Sequence, residues 1–388
     1  MTQTQSQSTP ADAPETDDED DGGDRPQRIM LVTDAWEPQV NGVVRTLTRV
    51  TQECREMGHE IEVIHPGQGF RTMPLPTYPE IQLALGARKT IEERFKDFEP
   101  EAIHIATEGT LGMAARAVCI KWKLPFTTSY HTKFPEYVNA RFPFVPLAAG
   151  YSFMRWFHNS GGRLMVATPS MREDLEKRGF KNITPWARGV DTDIFNPGRR
   201  GIDGGVFKDI EGPVFLYVGR VAVEKNIEAF LKIELPGTKV VIGPGPQLEE
   251  LKKKYPDVKF LGAMYGEELA RHFADADVFV FPSLTDTFGL VILESMATGT
   301  PVAAFPAPGP KDLIPGSGAG AVSEDLQEAC LEALKCDRAR CREYAEGFSW
   351  RSCAEDFVKN LKPQPKPERR RIWRRIRRLG RPDRKPLF

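Results

Sequence analysis

Two carboxylates separated by seven residues, Asp286 and Glu294, bracket the run Phe288-Gly289-Leu290. The surrounding stretch, residues 281–301, reads as the end of a buried strand, a short polar loop and then a helix. A helix entered through glycine leaves its first backbone N–H groups free and points the positive end of its dipole outward. Both features suit an anion such as a diphosphate. Glu294 falls just over a turn inside that helix, placed to accept hydrogen bonds from a sugar-like diol. An ordinary strand–helix unit, with carboxylates that only cap and solvate the helix, has the same appearance.

A second element is Tyr217-Val218-Gly219-Arg220, followed by Glu224-Lys225-Asn226. It leaves a strand and opens a helix, so Arg220 and Lys225 project from one loop. Two fixed cations beside a diphosphate would neutralise the charge that grows as a nucleotide leaves; a surface salt bridge is the plainer alternative. In the first half, the loop that ends in Asn41-Gly42-Val43 has one glycine at a helix start. It lacks the three-glycine dinucleotide fingerprint, so a nicotinamide-dependent enzyme is not expected. A single glycine still lets the backbone approach a ligand closely. His131, in Ser129-Tyr130-His131-Thr132, ends another buried strand and faces a cleft, where it can hydrogen-bond sugar hydroxyls. The other five histidines (His59, His65, His104, His158, His272) have no such company and read as structural.

In this order and spacing, across residues 28–360, the chain resembles the retaining glycosyltransferases of family four. Their usual donor-site pattern is two glutamates seven residues apart; here the first is the shorter Asp286, which leaves the donor's sugar open. The resemblance implies a GT-B fold, two doubly wound Rossmann-like domains facing across a cleft. It implies a catalytic set of His131, Arg220, Lys225 and Asp286. Around the donor it places Asn41, Gly42, Val43, Gly219, Phe288, Gly289, Leu290 and Glu294. Gly243, Gly245 and Met264, on successive strand ends, hold the nucleotide largely through backbone. Arg188, in Trp186-Ala187-Arg188-Gly189, touches phosphate or holds its loop. No Asp-x-Asp metal motif stands in a suitable loop, and two side-chain cations can replace a divalent ion, so neither metal nor cofactor is expected. Within the family, Ser-Tyr-His-Thr-x-x-Pro-x-Tyr and Trp-x-Arg-Gly-Val-Asp are similar to enzymes that glycosylate lipids, including diacylglycerol glycosyltransferases and bacterial mannosyltransferases.

The elements that must position these residues follow from periodicity. Apolar runs at 28–33, 60–65, 102–106, 125–129 and 164–168 alternate with helical patterns such as Val43, Leu47, Val50, Cys54 and Met57. A Gly-rich stretch, 197–212, reads as a linker, and a second alternation runs to 360. The chain of 388 residues thus predicts an α/β protein with two doubly wound parallel sheets, over 28–196 and 213–360. Their cleft lies between the carboxyl ends of both sheets.

Net charge is −1, which gives no nucleic-acid-like field. The ends differ. Residues 1–27 are acidic and poor in large apolar groups, and disorder is expected there. Residues 368–388 carry ten basic side chains against Glu368 and Asp383. Within them Ile372, Trp373, Ile376 and Leu379 share one helical face, so the segment 361–388 reads as a basic amphipathic helix for an anionic membrane surface. Nucleic-acid binding and a merely solvated tail are its rivals. The aromatic stretch 142–157 could cradle an acyl chain or be core. No signal peptide or membrane-spanning run is read, and the six cysteines form no Cys-x-x-Cys pair.

The expected function is transfer of a hexose from a UDP- or GDP-linked donor to a membrane lipid, diacylglycerol first, by a cytoplasmic, peripheral enzyme on the inner membrane face. No nucleic-acid partner is expected. A polysaccharide or lipid-linked oligosaccharide acceptor, and a non-catalytic nucleotide-sugar binding protein, are the alternatives.

Overall fold

The computed structural model describes residues 27–75, 78–142, 144–363 and 366–379. Two six-stranded parallel sheets organise it. The first contains β1 (Arg28–Val32), β2 (Glu60–Ile64), β5 (Ala102–Ile105), β6 (Thr127–Tyr130), β7 (Arg163–Val166) and β8 (Ile183–Pro185). An antiparallel hairpin, β3 (Thr72–Leu75) and β4 (Tyr78–Ala84), stands apart from it. The second sheet contains β9 (Val214–Val218), β10 (Thr238–Ile242), β11 (Lys259–Gly262), β12 (Val278–Phe281), β13 (Val302–Ala304) and β14 (Gly320–Val322). The orders are β2-β1-β5-β6-β7-β8 and β11-β10-β9-β12-β13-β14.

Helices α1 (Gly42–Glu56), α2 (Arg88–Phe98), α3 (Thr110–Trp122), α4 (Phe134–Arg141), α5 (Leu147–His158) and α6 (Pro169–Lys177) accompany the first sheet. The second has α7 (Ile227–Lys232), α8 (Leu248–Lys254), α9 (Gly266–Asp275), α10 (Leu290–Ala297), α11 (Pro308–Leu313), α12 (Leu326–Ala333) and α13 (Arg338–Glu346). Two more follow, α14 (Trp350–Asn360) and α15 (Lys366–Leu379).

Strand alternation builds both cores. In β1, Ile29 and Leu31 pack with Leu47, Val50 and Cys54 of α1, while Met30 and Val32 face Ile91, Phe95 and Leu111 on the other layer. In β9, Val214, Leu216 and Val218 go one way and Phe215 and Tyr217 the other. Each central strand is flanked by one earlier and one later crossover, so each sheet has a switch point: β1/β5 in the first, β9/β12 in the second. Ligand crevices form at such points, outside the carboxyl ends.

Packing changes hands at places other than the sequence-based boundaries. Trp186 belongs to the first core, but Val190 and Phe195 already belong to the second. Residues 197–212 lie on the second domain too, where Asp275 accepts from the backbone of Gly201 and Val206. At the far end α14, read from sequence as second-domain, returns to the first: Trp350, Cys353, Phe357 and Val358 pack with α1 and Trp186. The reason is apolar complementarity, since its buried positions match an open face beside β1. The two crossings touch, Val190 N–H donating to Phe348 O at 3.0 Å.

The tail requires a correction. Its apolar face does not look outward: Trp373 is 3% exposed, Ile376 is 1% exposed, and both sit in the first-domain core with Phe95 and Trp122. Trp373 meets Trp122 edge to face with centroids 6.4 Å apart, and Arg375 donates to Trp122 O at 2.7 Å. Arg369 pairs with Glu101, and Arg377 with Glu99. A helix with so apolar a stripe finds protein first, and α2 and α3 supply the partner. What remains exposed is cationic, including Arg371, Arg374 and Arg377. Residues 1–26 and 380–388, and the side chain of Leu379, lie outside the described residues.

Candidate active site

Lys225 and Asp286 form the centre. Lys225 Nζ donates to both carboxylate oxygens of Asp286, at 2.7 and 2.9 Å. An ammonium has three donors, so one N–H is left for another acceptor. Burial pulls the Lys225 pKa down, but Asp286, Tyr137 and Tyr217 outweigh it and hold the amine firmly protonated. Tyr137 arrives from α4 of the opposite domain, hydrogen-bonds the Thr285 side chain, and has its own pKa raised by burial.

Glu294 stands on α10, whose N-cap is Gly289. Gly289 has φ +87°, a left-handed conformation open chiefly to glycine. Glu294 is 4% exposed, yet its Oε2 has no hydrogen-bond partner among the described residues. Its Oε1 is held by Arg45, which reaches across from α1. Burial raises the Glu294 pKa, and Arg45 pulls it partway back. A buried carboxylate with one unsatisfied oxygen is costly unless a ligand donor completes it.

The opposing loop meets α10 directly. Asn41 caps α1, its Oδ1 accepting from the N–H of Val43 and Val44 at 3.0 Å each. A Cβ on Gly42 would stand 3.7 Å from Leu290 Cδ1, and Leu290 and Val43 pack in one cluster. Two helix N-termini, from α1 and α10, therefore meet across the domain boundary. Thr287 fastens the Asp286 loop across it, donating to His131 O at 2.7 Å, and Thr168 donates to Thr287 O at 3.3 Å.

His131 is placed at that boundary, but its ring is engaged by protein. Nε2 lies 2.8 Å from Ser129 Oγ, and Nδ1 is 3.4 Å from the Arg188 guanidinium. Burial, then Arg188 and His104, depress its pKa well below the ordinary value, so the ring is neutral. Ser129 continues the chain to His104 Nε2 at 3.2 Å, and His104 Nδ1 to Thr127 at 2.8 Å. Both ring nitrogens thus have protein partners, and the half-buried imidazole sits among polar neighbours.

Arg188 is engaged with its own loop. It is 4% exposed, donates to Trp186 O at 2.6 Å and Ala187 O at 3.0 Å, and lies 4.2 Å from the Trp186 ring. Burial lowers its pKa to about 10. Gly219 and Arg220 follow β9, and Arg220 O accepts from Tyr217 hydroxyl at 2.8 Å. Gly243 and Gly245 serve loop packing: a Cβ would stand 1.9 Å from Gly219 O in the first case and 2.1 Å from Val221 O in the second. Phe288 and Met264 pack against the second-domain core.

Sequence reading passed over Arg45, Thr287 and Asp34. Asp34 follows β1 and caps α3, accepting from Leu111 N at 2.8 Å, Gly112 N at 3.2 Å and Thr107 Oγ1 at 2.9 Å. A lone acid at a strand end was the available signal. Arg45 and Thr287 gave none, since their partners come from the other domain. Among the described residues, no group of three or more His, Cys, Asp or Glu side chains could hold a metal ion.

Two parallel-sheet Rossmann-like domains, with a buried carboxylate helix and a lysine–aspartate pair where they meet, are the GT-B fold of glycosyltransferases. Residues 40–194 match the model for Glycosyltransferase Family 4, and residues 212–336 that for Glycosyl transferases group 1. The chain is 31% identical over 370 residues to the sulfoquinovosyl transferase SQD2 of Arabidopsis thaliana, covering 84% of this chain and 72% of that one. It is 33% identical over 314 residues to a GDP-mannose-dependent alpha-mannosyltransferase of Corynebacterium glutamicum, 75% of each chain. The alpha-monoglucosyldiacylglycerol synthase of Streptococcus pneumoniae is 28% identical over 351 residues, 79% of this chain and 78% of that one. The fold matches a sucrose-phosphate synthase from Thermosynechococcus elongatus with TM-score 0.66 at 18% identity, over 91% of this chain and 100% of that one. It also matches Anabaena HepE in complex with UDP, with TM-score 0.62 at 14% identity, over 85% and 98%. The chain belongs to the family-four glycosyltransferases.

Proposed function

We propose that this glycosyltransferase moves a hexose, with retention, from a UDP- or GDP-linked donor to the hydroxyl of a membrane lipid, diacylglycerol first. The observation that carries the reading is the buried, half-satisfied Glu294 carboxylate facing the α1 loop beside the Lys225–Asp286 pair. Glu294 Oε2 accepts from the ribose diol. Lys225 gives its third N–H to a diphosphate oxygen, with Arg220 as the second cation, and no metal is required for that charge. Asp286 keeps lone pairs for the transferred sugar's hydroxyls, and Arg188 and Ser129 fix the neutral His131 beside it. The acceptor oxygen bonds to the anomeric carbon on the face from which the diphosphate oxygen departs, and the acceptor's proton passes to that diphosphate.

A relative that is an alpha-monoglucosyldiacylglycerol synthase supports a lipid acceptor. Two surfaces suit a membrane on the cytoplasmic face. One is the outward arginines of α15; the other is the aromatic run on and before α5, where Phe144 is 81% and Trp156 50% exposed. The test is incubation with UDP-glucose, UDP-galactose, UDP-sulfoquinovose and GDP-mannose against diacylglycerol, monoglucosyldiacylglycerol and phosphatidylinositol, with products identified by mass and their anomeric linkage by NMR. A glycolipid with the donor's anomeric configuration is expected. Products on oligosaccharide acceptors alone would overturn the lipid reading, and an inverted linkage the retention.

A further inference from the structure

One strand away from His131, the first domain carries a cavity that is a groove open to the surface, of about 560 Å³. Residues 83–87, where the hairpin runs into α2, form one wall, and the first turns of α3 form the other. Leu83, Leu85, Ala87, Met113 and Ala114 supply a largely apolar lining. Glu108 supplies the polar end, its carboxylate 3.0 Å from His158 Nε2. Glu108 follows β5 and His131 follows β6, and those strands are hydrogen-bonded neighbours, roughly 4.8 Å apart. Ser129, which holds His131, also donates to Ala106 O at 3.3 Å. The polar end of the cavity is therefore beside the loop that Thr287 ties to Asp286.

The same helix connects the cavity with the exposed aromatics. Met113 and Arg116 lie one turn apart on α3. Arg116 donates to Trp156 O at 2.8 Å and stacks 3.6 Å from the Trp156 ring. Charge then selects among lipids. The arginine in the lining, Arg88, is turned to Glu92 at 3.5 Å, whereas Glu108 would repel a phosphate placed at the polar end.

Resting on the lipid-acceptor reading above, we propose that this cavity seats a hydrocarbon chain of an uncharged hydroxyl lipid of the diacylglycerol class, with the hydroxyl end directed past Glu108 to the sugar. The apolar wall gains by covering the chain, at about 25 cal/mol for each Å² removed from water. The headgroup is uncharged, so no buried cation is needed to receive it.

The experiment uses the full chain and dioctanoylglycerol carrying a diazirine in one acyl chain, presented in phosphatidylcholine vesicles, irradiated and mapped by mass spectrometry. Label is expected in residues 83–87 and 110–114. Ala114→Trp, which fills the cavity, should cut labelling there and raise KM for dioctanoylglycerol at least tenfold. Leu85→Asp should do the same, and Leu85 is already 40% exposed, so its fold tolerates the charge. UDP and GDP affinity by calorimetry should stay within twofold in both variants. Label confined to residues 142–157, with parental KM in both variants, overturns the cavity. A parent that is labelled in the cavity but makes no glycolipid with any donor upholds the cavity and sinks the transfer reading.

Discussion

In the second domain the lysine–aspartate pair lies within seven residues of a strand end: Lys225 follows β9 and Asp286 follows β12. In the first domain the strand ends hold supporting groups, Asp34, Glu108 and His131, while the cavity wall comes from a hairpin and α2 inserted between β2 and β5. Two parallel sheets of different strand order thus carry two kinds of site. Where short loops leave a switch point, position along the chain and position in space nearly coincide. Where an inserted segment builds the wall, they separate. In the proposed reading, one half recognises a charged donor with fixed point charges and the other presents apolar surface to an acceptor.

The largest effect expected tests the charged half. Lys225→Ala should lower kcat by about a hundred- to a thousandfold, roughly 3–4 kcal/mol, because a preorganised cation at the leaving group is lost. Arg220→Ala should fall in the same range. KM for the lipid should hardly move, in contrast to Ala114→Trp. A Lys225→Ala enzyme with near-parental kcat would remove the division of labour between the halves.

The next effect concerns the tail. Trp373→Ala should cost about 3 kcal/mol, since a buried aromatic against Trp122 is deleted. Calorimetric unfolding and limited proteolysis around 361–379 would show it. Replacing Arg371 and Arg374 by Gln should leave stability alone and weaken binding to anionic vesicles by about 1 kcal/mol per charge. Unchanged stability in Trp373→Ala would return the apolar face to the membrane.

A smaller and opposite pair of changes is expected at Glu294. Glu294→Gln should weaken UDP or GDP binding about tenfold, some 1.4 kcal/mol. Its melting temperature should hold or rise, because the carboxylate is buried and its folded pKa is raised. Calorimetry with unchanged nucleotide affinity would contradict the diol assignment.

Legibility in the sequence follows the same division. The parallel sheets and α1 were readable because buried strands and 3.6-residue periodicity depend on nearby residues. Lys225 and Asp286, singled out in the sequence, are brought together because both loops are short. The hairpin, α2 and β8 escaped, being short or weakly patterned, and with them went the cavity wall. Arg45 and Thr287 escaped since each acts on the opposite domain. The tail was read as amphipathic, which it is. Amphipathicity alone does not say whether the apolar face meets lipid or Trp122.

A last effect separates the domains by pH. His104 is depressed to about 3 and His131 well below 6.5, chiefly by burial. The unfolded chain binds these protons near pH 6.5 while the folded one does not. Their contribution is therefore complete above the unfolded pKa and is lost as pH falls below about 6.5, by up to roughly 1.4 kcal/mol per unit for each ring. Glu294 has the opposite sign: its folded pKa is raised, so its contribution is present below the unfolded value and is lost as pH rises through the folded one. Acidification from pH 7 to 5 should thus loosen β5 and β6, which carry His104 and lead to His131, before β9 and β12. Hydrogen exchange at the two pH values reads this strand by strand. His104→Gln should flatten the pH dependence of β5 and β6, since it removes a titrating ring from the chain between Thr127 and Ser129. Equal loss of protection in both sheets would mean that the buried histidines do not set the acid response of the first domain.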